Sequence, residues 1–124
     1  MEISFTEREL DVMAVLWELD SATVAEVQDR LTDELAYTTV LTILRTLEEK
    51  GHVRHEEEGR AYRYYPLVNR EQAGASAVRR LVRKLFAGSP EMLLTHLVQE
   101  RGLTSEQLER MRGMLAERLE EEEV

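Results

Sequence analysis

Thr38, Thr39, Thr42, Arg45 and Thr46 recur at intervals of three and four residues, so a helix through them gathers short hydroxyls and one guanidinium on a single face. Threonine is a poor helix former, and a cluster of it on an exposed face asks for another explanation. Hydroxyls donate to phosphate oxygens, threonine methyls meet thymine methyls, and arginine pairs bidentately with guanine. That is the chemistry of a helix lying in a groove of double-stranded DNA. The plain alternative is an ordinary helix that tolerates threonines near its start. Farther along, Arg60 follows Gly59 between two short alternating runs that contain Arg54 and Arg63. A cation at a hairpin tip reaches a neighbouring phosphate or minor groove. The adjacent Glu56, Glu57 and Glu58 suit a solvated turn instead, and both readings stay open for Arg60. Tyr62, Tyr64 and Tyr65 either stack on bases or close the edge of a small core.

Catalytic chemistry finds little support. There is no Gly-rich phosphate loop, no G-x-S-x-G and no H-E-x-x-H, and the 124 residues contain no Cys. Disulfides, thiolate metal sites and a cysteine nucleophile are thereby excluded. His52, His55 and His96 are scattered, and His52 and His55 fall on opposite faces of a strand. His96, on an otherwise apolar helix, reads as a packed or interface histidine. Carboxylate pairs such as Glu48-Glu49 sit in charge runs of the kind that form solvated faces. The expectation is no enzyme, no metal and no cofactor.

The elements that must position the Thr/Arg face are punctuated by capping signals. Thr6-x-x-Glu9 is a capping box that opens a helix with Leu10, Met13, Ala14 and Trp17 on one side, widened by Val12, Leu16 and Leu19. Thr23-x-x-Glu26 opens a second, with Val24, Val27 and Leu31. A third helix is expected from about Thr38 to Lys50, burying Val40, Ile43, Leu44 and Leu47, and Gly51 stops it. Residues 52–56 and 61–65 read as strands, with Gly59 supplying the positive φ of the turn and Pro66 ending the second. Asn69-x-x-Gln72, Ser89-Pro90 and Thr104-x-x-Gln107 then start three more helices. The Glu120–Glu123 run reads as a solvated end. The spacing predicts a mainly α chain: three helices and a β-hairpin over residues 1–68, and a three-helix region over 69–124.

Charge is unevenly spread. The net charge is −9, which by itself argues against a nucleic-acid binder. Residues 1–36 carry a net −8 of this, however, and residues 37–67 are neutral. The middle segment is therefore free to meet an anion. The acidic start, without an apolar h-region, shows no signal peptide, and the longest apolar run, Val12–Trp17, is too short to span a membrane. A cytoplasmic protein without membrane contact is expected. The last three helices are small for an independent core, yet each shows an apolar stripe. Either they pack back on the first region or two copies interlock through residues such as Leu81, Leu85, Leu97, Leu108, Met111 and Leu115. The homodimer is favoured because the stripes exceed what a 67-residue partner region could cover.

Several stretches together resemble one family. Leu10-x-Val12-Met13-x-x-Leu16-Trp17, Thr23-Val24-x-Glu26-Val27, Ala36-Tyr37-Thr38-Thr39-Val40-x-Thr42-x-Leu44, Leu47-x-x-Lys50-Gly51 and Gly59-Arg60-x-Tyr62-x-Tyr64-x-Pro66 are similar to the penicillinase-repressor (BlaI/MecI-type) transcriptional regulators. The resemblance covers essentially the whole chain. It implies an N-terminal winged helix-turn-helix, a C-terminal helical dimerisation region and repression through inverted-repeat operators. Carried over by position, the third helix is the recognition helix, with Thr38, Thr39 and Thr42 toward the groove and Arg60 in the wing. Many members have an arginine directly before the leucine at position 47, where this chain has Thr46. Arg45 lies one residue earlier, about 100° round the helix. A reading from another class is a winged-helix protein-interaction module that does not bind DNA.

The family also implies how such a protein is switched. Copper-responsive members carry C-terminal cysteine clusters, which this chain lacks. Beta-lactam-responsive members are cut by a membrane-bound sensor protease between Asn and Phe, and the aligned bond here is His96-Leu97. A small-ligand pocket needs concave apolar space, which so short a tail is not expected to spare. Release by proteolysis within residues 88–104, with a sensor protease as partner, is the remaining expectation.

Overall fold

In the computed structural model, residues 3–123 are described; Met1 and Glu2 of the acidic start and Val124 lie outside them. The chain divides after Arg79 into two compact units. Along the sequence run α1 (Glu7–Leu19), β1 (Ala22–Thr23), α2 (Val24–Arg30), α3 (Tyr37–Glu49), β2 (Val53–Glu58), β3 (Ala61–Pro66), α4 (Arg70–Leu85), α5 (Pro90–Gln99) and α6 (Ser105–Glu123).

Local chemistry accounts for most of these boundaries. Thr6 and Glu9 close a reciprocal capping box on α1, as do Thr23 and Glu26 on α2. Asn69 with Gln72 and Thr104 with Gln107 do the same ahead of α4 and α6, and the Ser89 hydroxyl accepts from the Met92 N–H on α5. Each box satisfies two amide groups that the helix itself leaves open. Only α3 starts without a side-chain cap, at Ala36. Gly51 follows α3 at a φ of +83°, a conformation an L side chain resists.

The strands make a three-stranded antiparallel sheet in the order β1-β3-β2. β1 was not expected from the sequence. Its two residues pair Ala22 with Tyr64 and Thr23 with Arg63, and Thr23 is at once strand residue and cap of α2. The β2–β3 register places Glu58 opposite Ala61, so Gly59 and Arg60 alone form the turn. Gly59 takes the first turn position with positive φ, as a tight hairpin requires.

One core organises the first unit. Val12, Met13, Leu16, Val24, Val27, Val40, Leu44, Leu47, Val53 and Tyr64 are fully buried, and each aliphatic side chain so buried contributes roughly 1.5–3 kcal/mol. The expected stripe of α1 needs correction here. Leu10 and Ala14 are exposed, whereas Val12, Met13, Val15 and Leu16 are buried. A period of 3.6 allows either face; the neighbours α2, α3 and β3, which meet the Val12–Leu16 side, decide between them.

A polar link joins the ends of two helices across this core. Glu9, on the first turn of α1 and almost wholly buried, accepts from the Lys50 ammonium at 2.7 Å and from the Thr6 N–H at 2.8 Å. Burial by itself would raise the Glu9 pKa, but the hydrogen bonds from Lys50 and Thr6 outweigh it and hold the carboxyl below its ordinary range. Beside it the His52 ring is buried against Phe5, with centroids 5.1 Å apart. Burial and then the Lys50 charge lower the His52 pKa, the nearby Glu9 charge only partly opposing them.

Both shifts give stability the same dependence on pH. The unfolded chain takes up a proton on His52 below about 6.5 and on Glu9 below about 4.5 while the folded chain still resists it, so stability falls as pH falls. Thermal unfolding should show Tm dropping first as pH passes below 6.5, an early portion that His52→Gln removes. Lys50→Met leaves the buried carboxylate without its cation and should cost about 2 kcal/mol in urea unfolding at pH 7.

Candidate nucleic-acid interface

α3 buries Val40, Leu44 and Leu47 and turns its other side to solvent. Thr38, Thr39, Thr42 and Arg45 are exposed on that side, and Thr46 is half-buried at its edge. The structure thus brings the expected residues onto one face. Their hydroxyls are not equivalent, however. Thr42 donates to the Thr38 carbonyl at 2.9 Å and Thr46 to the Thr42 carbonyl at 3.0 Å. Their hydrogens are engaged within the helix, a common arrangement for threonines in a helix interior. Thr42 therefore offers a methyl group and an accepting oxygen rather than a donor, while Thr38 and Thr39 keep donors to give. No carboxylate shares the Thr38–Arg45 stretch.

A contact that was not apparent in the spacing holds α3 against the sheet, and a second within the sheet supports it. The Glu48 carboxylate lies 2.7 Å from His55 Nδ1 on β2, and the His55 ring leans edge-on against Tyr62 at 4.8 Å. His55 thus faces α3 while His52 is buried beside Phe5, so the two histidines do not meet.

On the hairpin the three guanidiniums have different tasks. Arg54 pairs with Glu56 at 2.7 Å and lies over the Tyr65 ring at 4.2 Å. Arg63 pairs with Glu58 at 2.9 Å and with Glu26 at 3.1 Å, and donates to the Ser21 hydroxyl. Both are therefore used in bracing the hairpin. Arg60, exposed in the turn, makes no ion pair among the described residues. Of the three hairpin tyrosines, Tyr64 is in the core, Tyr65 is half-buried under Arg54, and Tyr62 is exposed; Tyr37, at the start of α3, is exposed as well.

The tail residues form a second candidate surface. Neither α5 nor α6 contains a buried residue. Leu81, Leu85, Leu97, Leu108 and Leu115 are exposed, and Met111 is half-buried. His96 packs its ring against Phe86 at 5.3 Å, and the His96–Leu97 bond lies inside α5. No helix among the described residues is long and apolar enough to cross a membrane.

The penicillinase repressor family model matches residues 5–117. The chain belongs to the penicillinase repressor family. Among its relatives in that family is the transcriptional regulator BlaI of Mycobacterium tuberculosis, 34% identical over 110 residues, which cover 86% of this chain and 78% of the relative. The solution structure of the DNA-binding domain of the repressor BlaI matches with a TM-score of 0.51 and 32% identity, over 58% of this chain and 93% of that domain. That of Bacillus licheniformis BlaI in monomeric form, in complex with the blaP half-operator, matches with a TM-score of 0.50 and 31% identity, over 58% of this chain and 90% of that one. As in those domains, the fold is a winged helix-turn-helix: α2 and α3 are the paired helices and the β2–β3 hairpin is the wing.

The division of labour on this wing is testable without any ligand. Arg63→Ala removes the brace between β3 and its acidic partners and should lower the Tm, whereas Arg60→Ala should leave it unchanged in the same thermal scan.

Proposed function

We propose that this chain is a transcriptional repressor that binds inverted-repeat operator DNA as a homodimer through α3 and the wing. The observation that carries the reading is the exposed face of α3, where Thr38, Thr39, Thr42 and Arg45 stand without a carboxylate in a chain of net charge −9. A helix of this face fits the major groove, with Thr38 and Thr39 donating, the Thr42 methyl meeting thymine, and Arg45 reaching a base or phosphate. Thr46 borders this contact. Arg60 is the cation left available at the wing tip, where a phosphate would neutralise it. The half-operator complex of the Bacillus licheniformis relative supports the same use of this unit.

Dimerisation supplies the second half-site. Two α3 helices related by a two-fold axis meet successive major grooves, and the exposed leucines of α4, α5 and α6, with Met111, are the surface that a second copy covers. Joining the two units raises the effective concentration of the second at its half-site. Cleavage within residues 88–104 would forfeit that gain; cutting at His96-Leu97 requires α5 to unwind and to give up its share of that surface. The reading as a protein-interaction module draws on the acidity of residues 1–36, and a gel shift with the promoter upstream of the chain's own gene separates the two.

Three outcomes are expected in operator titrations. Arg45→Ala should cost about 1–3 kcal/mol if it reads a base. Arg60→Ala should weaken binding uniformly across sequences and reduce the salt slope by about 1. Placing Glu at both Leu108 and Leu115 should give a monomer by light scattering and abolish tight operator binding. Footprints restricted to one half-site for the unsubstituted chain would contradict the scheme.

A further inference from the structure

The tail has an open concavity at the start of α6, lined by Ser105, Glu106, Glu109 and Arg110, and the first unit contains a cleft that the DNA-binding surface does not use. It has a volume of about 590 Å3 and opens between the end of α1, the end of β3 and the first turn of α4, within the range of small-molecule sites. All of its lining residues lie in the first unit. Its apolar wall is the Trp17 indole with Pro66 and Leu67. The indole is fixed in place, since Trp17 Nε1 donates to the Val68 carbonyl at 2.9 Å.

Two opposite charges also line this wall. Arg70 places its guanidinium carbon 5.7 Å from the centre of the Trp17 ring. Asp20, at the end of α1, adopts a φ of +69°, a conformation that is costly for a non-glycine residue. Both residues line the cleft, yet they do not pair with one another, and neither makes an ion pair with any other described residue. A rigid aromatic surface bordered by an unpaired cation and an unpaired anion selects its ligand by chemistry. A simple acid would meet repulsion from Asp20, a simple amine would meet repulsion from Arg70, and a neutral ring would leave both charges unanswered.

The geometry points to a binding site for a small aromatic zwitterion, with its ring on Trp17 and Leu67, its carboxylate on Arg70 and its ammonium on Asp20. This assignment does not rest on the DNA-binding reading and is tested apart from it. Trp17 is the sole tryptophan, so its emission, excited at the red edge where phenylalanine does not absorb, reports directly on the cleft. L-phenylalanine titrated into the full chain, to millimolar concentration, should change that emission saturably. Arg70→Gln and Asp20→Asn, with unchanged thermal unfolding, should each weaken the apparent affinity about tenfold, the loss of one charge-assisted contact. Arg70→Lys should recover part of it. Benzoate and phenethylamine, each lacking one charge, should bind more weakly than phenylalanine by a similar factor. No saturable change with phenylalanine, an affinity in either variant unchanged from that of the unsubstituted chain, or benzoate binding as tightly as phenylalanine would each overturn the assignment.

Discussion

The buried carboxylate of Glu9 ties the start of α1 to the end of α3, and the usefulness of α3 depends on that tie. Glu9 accepts the Thr6 N–H that opens α1 and the Lys50 ammonium just past α3. Hydrophobic burial alone holds α3 by Val40, Leu44 and Leu47, a contact without direction that tolerates some rotation about the helix axis. The ion pair at one end, with the Glu48–His55 contact beside it, is directional. Together they determine which residues face outward, and so which of Thr38, Thr42 and Arg45 a groove would meet. The hydrogen bonds from Lys50 and Thr6 that hold the Glu9 carboxyl below its ordinary range also make the link sensitive to pH, because their contribution is lost once the carboxyl is protonated.

An acidic chain presenting a DNA-facing surface is a matter of where its charges are placed. The carboxylates of α1 and α2 lie outside α3, and two of the three on the wing are answered locally: Glu56 by Arg54, and Glu58 by Arg63. The guanidiniums that carry out this neutralisation are thereby withdrawn from any ligand. What remains is Arg45 on the helix and Arg60 at the turn, one cation for each element expected to touch DNA. Few phosphate contacts per unit make a weak single-site binder, which fits a chain whose tail exposes leucines for a second copy.

Much of this was legible in the sequence because its signals are local. The capping boxes at Thr6/Glu9 and Thr23/Glu26, the stop at Gly51 and the turn at Gly59-Arg60 are each decided within four residues, and the structure follows them. Readings that depended on tertiary context fared differently. The stripe of α1 was compatible with two faces, and only the position of α2, α3 and β3 exposes Leu10 and buries Val15. β1 is two residues long and exists because β3 offers it a partner. The α3 threonines were recognised as a face, but back-bonding of Thr42 and Thr46 is a property of the formed helix and changes what each can donate. The Glu9–Lys50 pair, 41 residues apart, leaves no periodic trace, and the Trp17–Arg70 cleft appears only once α4 starts beside the end of α1.

The proposed function requires that α3 and the wing tip be the surface that meets operator DNA. Its most direct test is amide chemical-shift mapping of the isotope-labelled chain titrated with a duplex from the promoter upstream of its own gene. The largest shifts should fall on Thr38, Thr39, Thr42, Arg45, Gly59 and Arg60, with the acidic face of α1 around Asp11 and Glu18 unmoved. Shifts concentrated on α1 and α2, with α3 and the turn unchanged, would contradict it.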